Sequence, residues 1–181
     1  MTGAGETLAA RLMRGCPDID LREETDDDIA FLAGLYASTR TEELAPVPWP
    51  DAAKQAFLRS QFEQQRAHYR RHYNGAEFLL VRAGSERIGR LYCRRSGNEY
   101  RLMDIALLPD WRGRGVGGQM IRTLLDCAAS DRCEVTLHVE PGNPARRMYE
   151  RLGFRLIEDR GVYWFLGWTK EAPADQLNVI S

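Results

Sequence analysis

The residues best suited to chemistry lie in one run, Arg112-Gly113-Arg114-Gly115-Val116-Gly117-Gly118. Its glycines remove the Cβ atoms that keep a ligand off the backbone. Its two arginines add fixed positive charge. Apolar residues at Val116, Met120, Ile121, Leu124 and Leu125 recur at helical spacing, so a helix begins inside the run. The first amides of a helix have no partner within it, and the helix dipole is positive there. Such an entry takes a phosphate or pyrophosphate. The plainer alternative is a glycine-rich helix start that binds nothing.

Three phosphate motifs compete for this run. A P-loop ends in Gly-Lys-Ser/Thr, and neither lysine nor hydroxyl follows Gly118. A dinucleotide fingerprint fits formally through Gly113, Gly115 and Gly118, with Glu140 as its acidic partner. That motif wants its first glycine immediately after a strand, yet residues 109–112 intervene after Ile105-Ala106-Leu107-Leu108. The third pattern is R-x-x-G-x-G, carried by Arg112, Gly115 and Gly117.

With this third pattern the sequence resembles the GNAT superfamily of acyl-CoA N-acyltransferases. The resemblance rests on the strand IALLP, the loop RGRGVG, the helix after it, the strand VTLHVE and the segment NPARRMYERLGF. It covers roughly Ile88 to Trp168. It implies transfer of an acyl group, usually acetyl, from coenzyme A to an amine of a small molecule or protein. The cofactor arm would pair with backbone groups of Ile105, Ala106 and Leu107, and a backbone N–H near Leu107 would polarise the thioester carbonyl. The pyrophosphate would lie on the amides from Arg112 through Gly117. Asn143 matches the position that hydrogen-bonds the cofactor arm, although a turn or cap before Pro144 explains it equally well. Tyr149 matches the general acid beside the departing sulfur; by spacing alone it is a core tyrosine.

An amine nucleophile must lose a proton, since an alkyl ammonium titrates near pH 10. His138 lies on VTLHVE where some amine-modifying relatives carry a glutamate base, and imidazole titrates near neutrality. Strand alternation puts Glu140 on the same face, where it would act as base or orient the acceptor. Asp104, Glu99 and Glu43 are rivals acting through water. A buried structural histidine is the alternative for His138.

Elements must position these groups. Residues 1–17 read as a flexible tail with at most a loose helix over Leu8 to Met13, and 171–181 as a loose end. Between them, 18–170 read as one domain. Its expected order is a strand from Asp18, a helix capped by Thr25, a loop over Ser38 to Pro50, and a helix from Asp51 to Tyr73. Three hairpin-linked strands, the helix after the glycines, VTLHVE, a short helix from Ala145 and a last hairpin follow. This is an α/β (α+β) fold, a GNAT-like mixed, mostly antiparallel sheet of about seven strands with about four flanking helices. The resemblance places the loop between the first two helices beside the acceptor, making Glu42, Glu43, Leu44 and Trp49 candidate contacts, with Asp104 a further one. Phe57, Phe62 and Tyr69 are expected to pack inward and Arg66, Arg70 and Arg71 to stay in solvent.

Composition narrows the function classes. The 181 residues carry a formal net charge of −1, so no overall basic field draws nucleic acid. Cys16, Cys93, Cys127 and Cys133 have neither C-x-x-C pairing nor metal-ligand spacing, as expected of reduced thiols in the cytoplasm. His68 and His72 sit four apart on a helix without the glutamate of a metalloprotease motif and read as a solvated face, so no metal is expected. No signal peptide and no apolar run of membrane-spanning length is present. The expectation is a cytoplasmic acetyl-CoA-dependent N-acetyltransferase, with a homodimer common for such a fold. The alternatives are a non-catalytic acyl-CoA-binding regulatory module of the same fold, and a nucleotide-binding oxidoreductase domain that would take NAD.

Overall fold

The computed structural model describes residues 6–170. The order is α1 (Leu8–Gly15), β1 (Asp20–Glu23), α2 (Ile29–Leu44), α3 (Asp51–His72), β2 (Ala76–Ala83), β3 (Glu86–Ser96) and β4 (Glu99–Leu107). Then come α4 (Val116–Asp131), β5 (Glu134–Val139), α5 (Arg146–Arg151), β6 (Arg155–Asp159) and β7 (Trp164–Trp168). The strands form one sheet in the order β1-β2-β3-β4-β5-β7-β6. Only β4 and β5 run parallel, because α4 crosses between them. The fold is therefore the expected mixed, mostly antiparallel sheet.

Two helical layers cover it. On one face Leu8 and Leu12 of α1 and Met120, Ile121 and Leu124 of α4 pack against Leu79, Val81, Leu91, Val135 and Leu137. On the other, Leu32 and Tyr36 of α2 and Phe62 of α3 pack against Leu80. The alternation of Leu79 and Leu80 between the two clusters is the pleat read directly as burial.

Four expectations need correction. The N-terminal segment is not a tail from residue 8 onward: α1 is capped by Thr7, buries Leu8 and Leu12, and its Arg11 reaches Asp131 at 2.7 Å on α4. Residues 171–181 lie outside the described part. Helix α2 runs on to Leu44, so Glu42 and Glu43 are helical; even Ala45, just before the first proline Pro46, keeps helical dihedrals of −53° and −48°. Phe57 is exposed and meets Trp49 edge-on, with centroids 5.5 Å apart. Arg66 and Arg70 are not merely wet, because both reach the carboxylate of Glu24, whose side chain is 1% exposed.

One irregularity shapes the site. Tyr92 pairs with Asp104 and Cys93 with Leu102, leaving Met103 as an extra residue in β4. A bulge of this kind bends its strand and reverses side-chain parity beyond it. Before it Tyr100 and Leu102 face the α4 layer; after it Ile105 and Leu107 do. Pairing of β4 with β5 stops at the same place, at Leu102 opposite Leu137. The two strands separate from there on.

Candidate active site

The separation of β4 and β5 makes a cleft through the sheet. On the α2/α3 side it opens into a cavity of about 600 Å³. Its walls are Tyr36, Arg40 and Glu43 from α2, Gln65, His68, Tyr69 and Tyr73 from or just beyond α3, and Asp104 to Ala106 from β4. His138, Val139, Glu140 and Asn143 close it on the far side, together with Arg90, Arg101, Arg160 and Tyr163. Of the sequence candidates, Glu43, Asp104, Ile105, Ala106, His138, Glu140 and Asn143 thus come together. Glu42 and Trp49 are exposed outside this cavity. His68, expected on a solvated face, lines it.

Every carboxylate in the cavity faces an arginine. Arg40 Nη1 reaches Glu43 at 3.0 Å and Glu140 Oε1 at 3.4 Å, joining two candidates that are far apart in sequence. Burial works against the Arg40 charge, but Glu43 more than compensates and holds its pKa above the ordinary value. Arg90, only 3% exposed, pairs with Asp104 and donates to Gln65 Oε1 at 2.9 Å. Tyr69 donates to the carbonyl of the bulged Met103 at 3.4 Å.

His138 stands between two guanidiniums. Arg101 Nη1 lies 3.3 Å from Nδ1 and Arg160 Nη1 lies 3.1 Å from Nε2, while the ring stacks on Phe165 at 5.0 Å. Desolvation and then the charges of Arg101 and Arg160 depress its pKa. The imidazole is neutral at neutral pH, and protonating it between two cations is unfavourable.

The glycine run lies beyond β4. Gly113 and Gly115 have φ of 71° and 84°, values that L side chains rarely adopt. A Cβ built on either meets no atom within 4 Å, so the outer side of the loop is open. Gly115 is the N-cap of α4, which leaves the amides of Val116, Gly117 and Gly118 without partners inside the helix. Arg112 differs from expectation. Its amide bonds to the Pro109 carbonyl at 3.1 Å. Its guanidinium donates to the Leu107 carbonyl and to Ser38 Oγ, each at 2.9 Å. It clasps the loop to β4 and α2. Arg114 lies over the Trp111 ring at 5.2 Å.

Tyr149, on α5, belongs to the opposite layer. It is 6% exposed and meets Phe154 edge-on at 5.5 Å. Burial, followed by the charge of Asp104, raises its pKa well above the usual phenol range. Asp104 thus acts on it across the cleft. Asn143 Oδ1 accepts from the Ala145 amide at 2.9 Å, so its turn role is real, and it still lines the cavity.

The arrangement permits a reaction in which two substrates arrive from opposite faces and meet in the gap between β4 and β5. The sequence model of the Acetyltransferase (GNAT) family matches residues 37–154. The chain belongs to the GNAT acetyltransferase family. The N-alpha-acetyltransferase RimI of Mycobacterium tuberculosis is 33% identical over 121 residues, which is 65% of this chain and 68% of that protein. The mycothiol acetyltransferase of Corynebacterium glutamicum is 33% identical over 94 residues, 50% of this chain but 32% of that protein. In fold, the chain is similar to the PaiA N-acetyltransferase of Thermoplasma acidophilum, solved in complex with coenzyme A. The TM-score is 0.65 at 16% identity, over 84% of this chain and 99% of the other.

The GNAT signature at Arg112, Gly115 and Gly117 was legible in sequence. Arg40, Arg101, Arg160 and Tyr163 were not, since they come from three separate parts of the chain, α2, β4 and the β6–β7 turn. The bulge left a signal that was overlooked: apolar residues fall on Tyr100 and Leu102, then on Ile105 and Leu107, a change of phase at Met103. Among the described residues no metal-binding cluster occurs, and no helix is long and apolar enough to cross a membrane.

Proposed function

We propose that this chain transfers an acetyl group from acetyl-CoA to a primary amine by direct attack. The observation that carries the reading is the cleft, open from the end of β4 through to the arginine-lined cavity. The open-side backbone groups of β4 between Ile105 and Leu107 would hold the cofactor arm. The amides of Gly113 to Gly118 would hold the pyrophosphate, with Arg114 adding charge nearby. Bound acetyl-CoA supplies the activated acyl carbon. The Leu108 amide bonds back across β3 to Ile88 at 2.8 Å, so strand alternation turns the Leu107 amide to the open side. There it is placed to donate to the thioester oxygen as charge develops.

Tyr149 has the donor role at the sulfur. Its raised pKa keeps the phenol protonated, so it steadies the departing thiolate chiefly by hydrogen bonding. Glu140 and Asp104 attract the acceptor's ammonium, and Glu140, the more solvent-accessible, passes its proton towards water. His138 serves position rather than proton transfer, because its conjugate acid is disfavoured by its neighbours.

Calorimetric titration with acetyl-CoA, CoA and NAD, followed by thiol release against an amine panel, tests this. Binding of the CoA species and thiol release with an amine are expected. Acetyl-CoA binding with no turnover of any amine would favour a non-catalytic acyl-CoA-binding module. Binding of NAD but not of CoA would refute the cofactor assignment.

A further inference from the structure

The acceptor side of the sheet carries a pair of guanidiniums whose hydrogen bonds cannot all be met within the protein. Arg101, on β4, is braced by Glu99, whose Oε1 accepts from Nε at 3.1 Å and from Nη2 at 2.8 Å. Arg160, in the β6–β7 turn, is braced by Glu158 through Nε at 2.7 Å. Both lie over the Phe165 ring, at 5.0 and 4.8 Å from its centroid. Neither bracing carboxylate lines the cavity, whereas both arginines do. Each arginine directs its Nη1 at one nitrogen of His138.

A neutral imidazole has one accepting nitrogen, and the other bears a proton. A guanidinium only donates. Whichever tautomer His138 adopts, one of the two arginines therefore faces an N–H with an N–H. Charging the ring would leave both unmatched. The conflict sits in the wall of a cavity and disappears if an anion accepts from the spare N–H groups. A carboxylate beside the ring, with two accepting oxygens, can take a spare Nη N–H from each guanidinium, as arginine–carboxylate pairs do. Both guanidiniums and the imidazole share the Phe165 ring as a neighbour.

We infer that Arg101 and Arg160 form a carboxylate subsite and that the acceptor amine of this enzyme belongs to a molecule that also carries a carboxylate. The inference rests on the acetyltransferase reading for its substrate and on the arginine geometry for its charge. Glu43, Glu140 and Asp104 take the ammonium end, while Arg101 and Arg160 take the anionic end. Such an acceptor is zwitterionic. Two sources share this chemistry: the α-carboxylate of a free amino acid, and an acidic side chain near the amino terminus of a peptide.

Thiol release from acetyl-CoA by matched acceptors separates them: alanine against alaninamide, and Ala-Glu-amide against Ala-Gln-amide. The acid of the productive pair is expected to exceed its amide about tenfold or more in kcat/KM, the effect of one charge-assisted hydrogen bond. Arg160→Gln should collapse that ratio, Arg160→Lys should restore part of it, and the KM for acetyl-CoA should stay unchanged. Amides turned over as well as their acids would overturn the inference. A second readout does not need turnover. The ring-proton resonance of His138 should shift saturably with N-acetylalanine or with N-acetyl-Ala-Glu-amide, not with their neutral amides, and the response should vanish in Arg160→Gln. A His138 signal indifferent to every carboxylate sinks the subsite even if some amine is acetylated. A carboxylate-dependent shift with no amine ever acetylated keeps the subsite and removes the transferase reading.

Discussion

Gly89, on β3, holds the end of β4 in place by what it lacks. A Cβ built there would lie 2.7 Å from Leu107 Cδ2 and closer still to the carbonyl oxygen of Ala106. The leucine methyl can rotate aside; the carbonyl belongs to the backbone and must retreat by on the order of 1 Å to reach an ordinary contact. Overpacking of this kind costs about 1–3 kcal/mol. At roughly 2–4 °C per kcal/mol for a chain of this size, Gly89→Ala should lower Tm by about 2–12 °C. The moved carbonyl lies between Ile105 and Leu107, whose open-side backbone is assigned to the cofactor arm, and a displacement near 1 Å costs up to about a hundredfold in rate. Calorimetry should therefore show acetyl-CoA affinity weakened about tenfold or more, even at temperatures where the variant is fully folded. Gly34→Ala is the control: nothing lies within 4 Å of a Cβ on that α2 glycine, so it should gain about 0.5–1 kcal/mol from helix propensity. A Gly89→Ala protein with unchanged Tm and unchanged affinity would refute the close-approach argument.

Tyr149→Phe should lower turnover at least about tenfold while acetyl-CoA affinity stays similar; unchanged turnover in single-turnover kinetics would remove the phenol from the reaction. The same raised pKa predicts no loss of rate from Tyr149 ionisation as pH rises from 7 to about 10, read as kcat with an amine already deprotonated in that range. Gly117→Glu should abolish CoA binding by placing charge and bulk at the pyrophosphate amides, and retained affinity would put the cofactor elsewhere. Asp28 is fully buried with Arg22 at 2.7 Å and Arg87 at 3.1 Å, and the Arg22 hydrogen bond depresses its pKa far below the ordinary carboxylate value. Its stabilisation is complete above that ordinary value, near 4, and is lost as pH falls towards the folded-state pKa. Asp28→Asn should cost about 3 kcal/mol at pH 7 and progressively less below pH 4, as urea titrations at several pH values would show.

The succession of elements from β1 onward and the glycine-rich loop were readable because each is local. Glycine-rich entry, helical spacing and short hairpin turns leave their marks within about ten residues. Helix α2 is longer than its sequence suggests, because the prolines at 46, 48 and 50 say nothing about the residues well before them. Helix α1 reads as a tail in the sequence because its two buried leucines are too few to show a period, and its Arg11–Asp131 bond spans most of the chain. The acceptor cavity was the least legible part. Arg40 reads as an ordinary helix-surface residue until Glu140, from the end of β5, is found beside it. Arg101 and Arg160 acquire meaning only when β4 and the last hairpin place them against the same imidazole.

The extra residue at Met103 has a consequence for how this enzyme can change. Parity along β4 is a frame, and the bulge absorbs one extra residue without breaking it: Asp104 and Ala106, paired with Tyr92 and Arg90, face the cavity. Substitutions can retune what the acceptor meets, at positions 101, 104, 106, 138 and 140, without disturbing the packed layer beneath. None of them can exchange the two faces. Removing residue 103 would not exchange them either: Leu102, Asp104 and Ile105 would run opposite Cys93, Tyr92 and Leu91 as they do now, but the bend would be gone. The choice of acceptor is thus open to gradual drift by substitution, while the bend that parts β4 from β5 rests on one residue that only deletion can take away.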